Sequence, residues 1–270
     1  STFEAVAAEY FSMRAGKLSA ESISHERRIV ERDLNPYLGR SPVGAIPARE
    51  LLDALRRIES RGAVKTAHRA RWIAGRVFRY AIATGRADRN PADDLRGALA
   101  SSEVQHFPSI TDPSLITGLL RATHDYQGSP VVQAALRLAP LVFVRPGELR
   151  NALWDDIDLD AGQWRFTATK TGQPHIVPLA VQAVAILREL HPLTCRAKYV
   201  FPCMIGKGRP MSENAVNGAL RRLGYESGSM TGHGFRAMAR TVLDEVLGFR
   251  PDYIEHQLAH AVRDPNGRAY

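Results

Sequence analysis

From Ser1 to Gly85 the apolar residues recur at the three-and-four spacing of helices, and no alternating run of strand type interrupts them. A segment so patterned buries its apolar stripes by packing helix on helix. The first stretch, 2–15, carries Phe3, Val6, Ala7, Tyr10 and Phe11 at helical spacing. Ser19 is placed to cap a second helix, with Glu21 and Ser22 in its first turn, that runs to about 38–39. Pro47 suits the first turn of a third helix, PARELLDALRRIESRG, and Gly62 suits its stop. A long fourth helix is expected from about Val64 to Thr84, ended by Gly85, and Asn90-Pro91 opens a short further segment.

The fourth helix separates its charge from its apolar residues. No acidic residue lies between Ser60 and Ala87, while Arg61, Lys65, Arg69, Arg71, Arg76, Arg79 and Arg86 do. At about 100° per residue, Lys65, Arg69, Arg76 and Arg79 fall within a stripe roughly 80° wide, with His68 and Trp72 on or beside it. Ala67, Ala70, Ala74, Val77, Phe78 and Ala81 cluster opposite. A solvated helix face normally alternates sign, because like charges at i,i+4 repel. A face of one sign is therefore expected to receive a polyanion, and Lys65, His68, Arg69, Arg76 and Arg79 are the candidate DNA contacts. The charge distribution agrees. Residues 1–100 hold 18 Lys and Arg against 12 Asp and Glu, a net of +6, out of +8 for the whole chain.

Residues 101–113, SSEVQHFPSITDP, have serines, two prolines and little periodicity, and read as a linker. Beyond it the pattern is mixed. Helices are expected at 114–124, 129–140, 147–153, 179–190, 213–222, 234–247 and 251–258. Between the fourth and the third of these, GQWRFTATKTGQPHIVPL alternates polar and apolar residues around Thr171-Gly172-Gln173-Pro174, the pattern of a β-hairpin with a glycine in its turn. The expected fold is mainly α with a small β-hairpin or sheet (α+β), in two domains: 1–100 helical, and 114–270 joined to it by 101–113. A length of 270 residues is ample for two cores.

Several classes are disfavoured. No apolar run approaches the roughly 20 residues of a membrane helix, and the first residues lack a basic region followed by an apolar core. A cytoplasmic protein without a membrane partner is expected. Cys195 and Cys203 are too few for a disulfide framework or a zinc site. His256 and His260 are spaced i,i+4, but the segment reads His-Gln-Leu-Ala-His, without the glutamate of a His-Glu-x-x-His protease or a third ligand. There is no G-x-x-x-x-G-K-[ST] loop and no carboxylate cluster for paired magnesium ions. No metal and no cofactor is expected.

Four short stretches in the second part belong together: Val144-Arg145-Pro146-Gly147-Glu148-Leu149, the hairpin with Lys170, Thr231-Gly232-His233-Gly234-Phe235-Arg236, and Gln257-Leu258-Ala259-His260 followed ten residues later by Tyr270. Singly, each has a bland reading as a helix start, a hairpin lysine, a chance His-x-x-Arg or a buried aromatic. In this order and spacing they resemble the tyrosine recombinases, or phage integrases. RPGEL resembles the first arginine box, HGFRAMART the His-x-x-Arg box, and QLAH followed by AY the closing box. HGFRAMARTVLDE and YIEHQLAH are most similar to integrases of prophages and genomic islands. The resemblance covers nearly the whole chain, because 1–100 resembles the core-binding domain that precedes the catalytic domain in this family.

What the resemblance implies can be assigned residue by residue. Arg145 and Arg236 match the arginines that clamp the scissile phosphate, His233 the His/Lys position, His260 the position held by His or Trp, Lys170 the hairpin lysine and Tyr270 the nucleophile. Glu148 matches an acidic position that supports the site. The chemistry suits these groups. A phosphodiester gains negative charge as a nucleophile adds, and two guanidiniums can each offer paired N–H donors to its oxygens. A phenol needs nearby positive charge and a proton acceptor to become nucleophilic at neutral pH. The resemblance also implies double-stranded DNA with attachment-site core sequences as partner, a homotetramer on that DNA, a DNA-bending protein and an excision factor, and a location with the bacterial nucleoid.

Arg150 competes with Arg145 for the first arginine but lacks the RPGEL context. Tyr225 and Tyr253 compete with Tyr270, and Tyr253, at the opening of a helix, is expected to pack. The chain ends at Tyr270, where family members continue through a segment that packs on a neighbouring protomer, and related integrases carry an arm-binding domain before the position of Ser1. Both departures are those expected of a trimmed fragment. Two other readings are a type IB topoisomerase-like enzyme, which relaxes supercoils with the same chemistry, and a DNA-binding protein without catalysis, such as a decayed integrase.

Overall fold

A computed structural model of the chain describes residues 1–16, 19–101, 108–205 and 208–260. The chain divides into two compact units, 1–105 and 106–270.

The first unit is helical, as the periodicity requires. Helix α1 (Phe3–Met13) is capped by Thr2. Helix α2 (Ala20–Ile29) is capped by Ser19, whose hydroxyl accepts from the Ser22 N–H at 3.2 Å. It continues through one wider π-type turn, Val30–Leu34, into the short α3 (Asn35–Leu38). Helices α4 (Ala48–Ser60) and α5 (Val64–Ala83) follow. The alanines of α5 let the other helices approach closely, and Phe78 meets Phe3 at 5.5 Å between ring centres. The sequence does not announce the two buried carboxylates in this unit. Asp33 receives Arg61 at 2.6 Å and Arg32 at 2.9 Å. Glu26 receives Arg69 at 2.6 Å, and Arg14 stands 3.5 Å from it.

The second unit sets helices around a small sheet. Helices α6 (Pro113–Asp125), α7 (Pro130–Val142) and α8 (Pro146–Arg150) lead into β1 (Ile157–Asp158), β2 (Gln163–Thr167) and β3 (Pro174–Pro178). The sheet is antiparallel in the order β1-β2-β3, so the expected hairpin has a third strand. Trp164 pairs with Val177 and Phe166 with His175, which turns Trp164, Val177 and His175 inward. Helices α9 (Val181–Thr194), α10 (Ala215–Arg222), α11 (Gly234–Thr241) and α12 (Pro251–Gln257) complete the unit.

Three elements differ from the sequence expectation. The helix expected over 147–153 ends at Arg150, because Ala152 instead offers its carbonyl to the Val200 N–H at 2.9 Å. Helix α9 runs on to Thr194 through Pro192. The helix expected over 234–247 changes at Val242 into a π-type turn that lasts to Val246. Among the described residues no helix is long and apolar enough to cross a membrane.

Candidate active site

Arg145 stands immediately before α8, where Pro146 occupies the first turn and needs no hydrogen-bond acceptor for its nitrogen. Glu148, buried one turn on, closes this helix start. Its Oε2 accepts from the Arg145 backbone N–H at 2.9 Å, and its Oε1 accepts from Arg145 Nη1 at 2.9 Å. Oε1 also accepts from the Thr169 N–H at 3.2 Å. The carboxylate thereby ties the root of the β2–β3 loop to the arginine. That loop is closed by paired bonds between Ala168 and Gln173 and between Gly172 and Ala168, each 2.8 Å, and Gly172 takes the left-handed conformation its turn requires. Lys170 is exposed in it.

Arg236 lies in the first turn of α11 and is 5% exposed. Its helix begins at Gly234, where a side chain would meet the Pro108 carbonyl at 2.4 Å, so glycine alone permits this approach. Arg236 donates through Nη1 to the Phe143 carbonyl and through Nη2 to the Leu258 carbonyl at 2.7 Å. Nη2 is also 3.1 Å from His260 Nε2. Arg145 Nη2 donates to the Ala259 carbonyl at 3.3 Å. The two guanidiniums are thus anchored on consecutive carbonyls, Leu258 and Ala259, immediately before His260. Phe143 and Ala259 are the non-glycine residues with positive φ among those described, at 54° and 50°. Their conformation turns the carbonyls toward the arginines.

Burial and the charges of Arg236, Arg145, His260 and Lys170, in that order, hold the His233 pKa below its ordinary value. Burial first, then Arg145, pushes Arg236 down to about 10, which leaves it charged at neutral pH. Tyr270 lies outside the described residues.

Two of the rival residues have surroundings of their own. Arg150 Nε donates to the Met211 carbonyl at 2.5 Å. Tyr253 is not packed, contrary to expectation: it is 61% exposed, with the Arg250 guanidinium 4.8 Å above its ring, because the start of α12 leaves it on the outer face. Among the described residues no group of three potential metal ligands is found. Two residues that sequence reasoning missed border the site. His175 is buried on β3 with its ring edge against Phe166, and burial holds its pKa down although a bond to the Gln257 backbone works the other way. Glu255 contacts His260 Nδ1 and Arg240. The inward register of β3 could have pointed to His175; nothing in the sequence marks Glu255.

The basic stripe of the first unit is only partly as expected. Arg69 is paired with Glu26, and Arg79 stands 3.9 Å from Asp93. His68 Nε2 is 2.8 Å from the Ala100 carbonyl. Lys65 is exposed, and neither it nor Arg76 has an ion-pair partner among the described residues. Arg69 and Arg76 stack on opposite flanks of the sequence around Trp72, at 4.3 and 4.4 Å from its ring centre. An open groove of about 410 Å³ is lined by Tyr10, Met13, Arg14, Arg76, Arg79 and Tyr80.

The family described as "Phage integrase central domain" matches residues 3–98, and "Phage integrase family" matches residues 112–264. The integrase of Enterobacteria phage P4 is 33% identical over 284 aligned residues, which cover 100% of this chain and 64% of that protein. Prophage integrase IntZ of Escherichia coli K12 is 35% identical, covering 98% of this chain and 65% of its own length. The chain therefore spans slightly less than two thirds of these two relatives. The solved lambda integrase (75–356) dimer bound to a COC' core site has a TM-score of 0.76 at 19% identity, covering 96% of this chain and 95% of that one. At that identity the likeness shows the fold.

Replacing Glu148 with leucine leaves the Arg145 guanidinium, 15% exposed, without its carboxylate. The expected result is a loss on the order of 3 kcal/mol, read as an earlier midpoint in urea denaturation. An unchanged midpoint would show that Glu148 does not hold the site together.

Proposed function

This chain belongs to the phage integrase family, and on that premise we propose that it is a site-specific DNA recombinase that cuts and rejoins DNA through a 3′-phosphotyrosyl link. One observation carries the reading: the Arg145 and Arg236 guanidiniums rest on adjacent carbonyls and can share one anion. That anion is the scissile phosphate. Preorganised donors aimed at developing charge are usually the largest contribution to catalysis of this kind.

In the proposed reaction the Tyr270 oxygen attacks phosphorus and the bond to the 5′ oxygen breaks. His233, kept neutral by burial and by its cationic neighbours, accepts the phenol proton. Lys170, on its loop, gives a proton to the departing 5′ oxygen. Arg145, Arg236 and His260 hold the non-bridging oxygens, and Glu148 supports Arg145. The phosphotyrosyl bond conserves the energy of the broken link, so the reverse attack by a 5′ hydroxyl rejoins the strand without ATP.

Duplex DNA with attachment-site core sequences is the proposed partner, supported by the lambda integrase relative solved on a core site. Lys65 and Arg76 supply phosphate contacts from α5, with His68 and Arg79 beside them, while Arg69 is held by Glu26. A homotetramer on DNA, a bending protein and an excision factor are proposed with the family. Integration and excision of a mobile element use the same chemistry in opposite directions.

The deciding experiment incubates the chain with a nicked duplex carrying the attachment sequence of its element. A denaturation-resistant adduct should form and map to Tyr270. Tyr270→Phe should abolish it and leave DNA binding intact; trapping by that variant would assign the nucleophile elsewhere.

The pH profile of this adduct carries a sign. A base whose pKa is depressed stays unprotonated to lower pH, so the acid limb assigned to His233 should fall below the ordinary value of 6.5. A limb above that value would exclude His233 as the acceptor.

Salt dependence tests the basic face. Lys65→Gln and Arg76→Gln should each lower the slope of log K against log salt by about 1. Slopes equal to that of the wild-type chain would remove both residues from the DNA contact.

A further inference from the structure

Glu255 lies in α12, five residues before His260, and both of its carboxylate oxygens are engaged. Oε1 accepts from Arg240 Nε at 2.8 Å, and Oε2 contacts His260 Nδ1. The backbone closes the same loop, because the His260 N–H donates to the Glu255 carbonyl at 2.9 Å. On its far side the imidazole places Nε2 at 3.1 Å from Arg236 Nη2. Burial opposes ionisation of Glu255, but the bonds from Arg240 and His260 outweigh it and hold the carboxyl below its ordinary range. Glu255 is therefore a carboxylate near neutral pH.

These two neighbours decide the ring's protonation pattern. A carboxylate can only accept a hydrogen bond, and a guanidinium can only donate one. A neutral His260 satisfies both with its proton on Nδ1 and its lone pair on Nε2. The other neutral tautomer would set a lone pair against a carboxylate and an N–H against an N–H. We propose that Glu255 is a positioning residue that fixes the tautomer and ring plane of His260, with Arg240 bracing the carboxylate from its other oxygen.

The consequence for the reaction rests on the recombinase reading above; the tautomer does not. With Nδ1–H committed to Glu255, Nε2 is the nitrogen that faces the phosphate. It can donate there only after taking up a proton from water, and Glu255 is then the counter-charge beside the imidazolium. The arrangement has the logic of a carboxylate that orients an active-site histidine through its second nitrogen.

The test combines a spectrum with a rate. The 270-residue chain is labelled with ¹⁵N in its histidine rings, and the His260 signals are identified by their loss in His260→Gln. Long-range ¹H–¹⁵N spectra should show a protonated Nδ1 and an unprotonated Nε2. Glu255→Leu should produce a mixture of tautomers and slow adduct formation on the nicked duplex by about tenfold to a hundredfold, the scale of one lost bond to a charged group. Its DNA affinity should stay within about twofold. Glu255→Gln, whose amide oxygen can still accept from Nδ1–H, should restore the tautomer and most of the rate.

A wild-type ring protonated on Nε2 alone would overturn the proposal. So would a Glu255→Leu variant with unchanged tautomer and rate, or a Glu255→Gln variant that restores the tautomer without the rate. Should Glu255→Leu fail to fold, the wild-type spectrum and Glu255→Gln still decide the question. A wild-type chain with the expected tautomer that forms no adduct would instead refute the recombinase reading.

Discussion

A buried guanidinium that keeps its charge is the constraint on which the second unit depends. Arg236 is almost wholly withdrawn from water, yet its direct hydrogen-bond partners are two backbone carbonyls and an imidazole nitrogen rather than a carboxylate. Isolating a cation in this way is costly unless its N–H groups are satisfied. The carbonyls of Phe143 and Leu258 satisfy two of them without cancelling the charge. Glu148 and Glu255 act on Arg236 only through space, and each makes its direct ion pair with a different arginine. The arrangement satisfies N–H groups of Arg236 and leaves its positive charge uncancelled, which a direct carboxylate pair on Arg236 would not.

Holding those carbonyls in place has a local cost. Phe143 ends α7 in the left-handed conformation, and Ala259 adopts the same conformation two residues beyond the end of α12. Each such non-glycine residue costs about 1 kcal/mol or more and persists only where its surroundings over-determine it. Here the surroundings are visible. Phe143 follows a helix whose last buried residues are core, and its carbonyl receives Arg236. Ala259 lies between Leu258, 2% exposed, and His260, and its carbonyl receives Arg145. Backbone strain is thus located at the points where α7 and α12 present acceptors to the two arginines.

Much of this was legible in the sequence, and what was not follows from the physics. Helical periodicity gave α1, α4 and α5, because an apolar stripe at period 3.6 has few other uses. Alternation gave β2 and β3, whereas Arg145 and Arg236 were singled out only because the RPGEL and HGFR stretches resemble a family's arginine boxes. The carbonyls of Phe143, Leu258 and Ala259 carry no sequence signal, since every residue has one. Glu255 was hidden among ordinary helix-surface acids. Its role exists only because His260 folds back over the end of α12. The π-type turns at Val30 and Val242 were invisible for a similar reason: one extra residue in a turn changes the spacing too little to detect in a short segment. The outward position of Tyr253 was misjudged because an aromatic at a helix start is more often packed.

The basic stripe of α5 shows why counting cations overstates a binding face. Glu26 is 2% exposed, and a carboxylate there must be paired. Arg69 supplies that pairing from a position 43 residues later in the chain. Its guanidinium also lies against Trp72, so it serves packing within the unit as well as any external anion. Arg79 faces Asp93 across 3.9 Å, a partly exposed pair that a phosphate can displace more readily than it can displace Glu26 from Arg69. Counterion release depends on cations whose charge is not already neutralised by the protein. Of the stripe's four cations, Lys65 and Arg76 meet that condition, Arg79 meets it in part and Arg69 does not. The acid-free sequence of α5 therefore describes one helix, whereas the field that DNA would encounter is set by α5 together with the carboxylates that other segments fold against it.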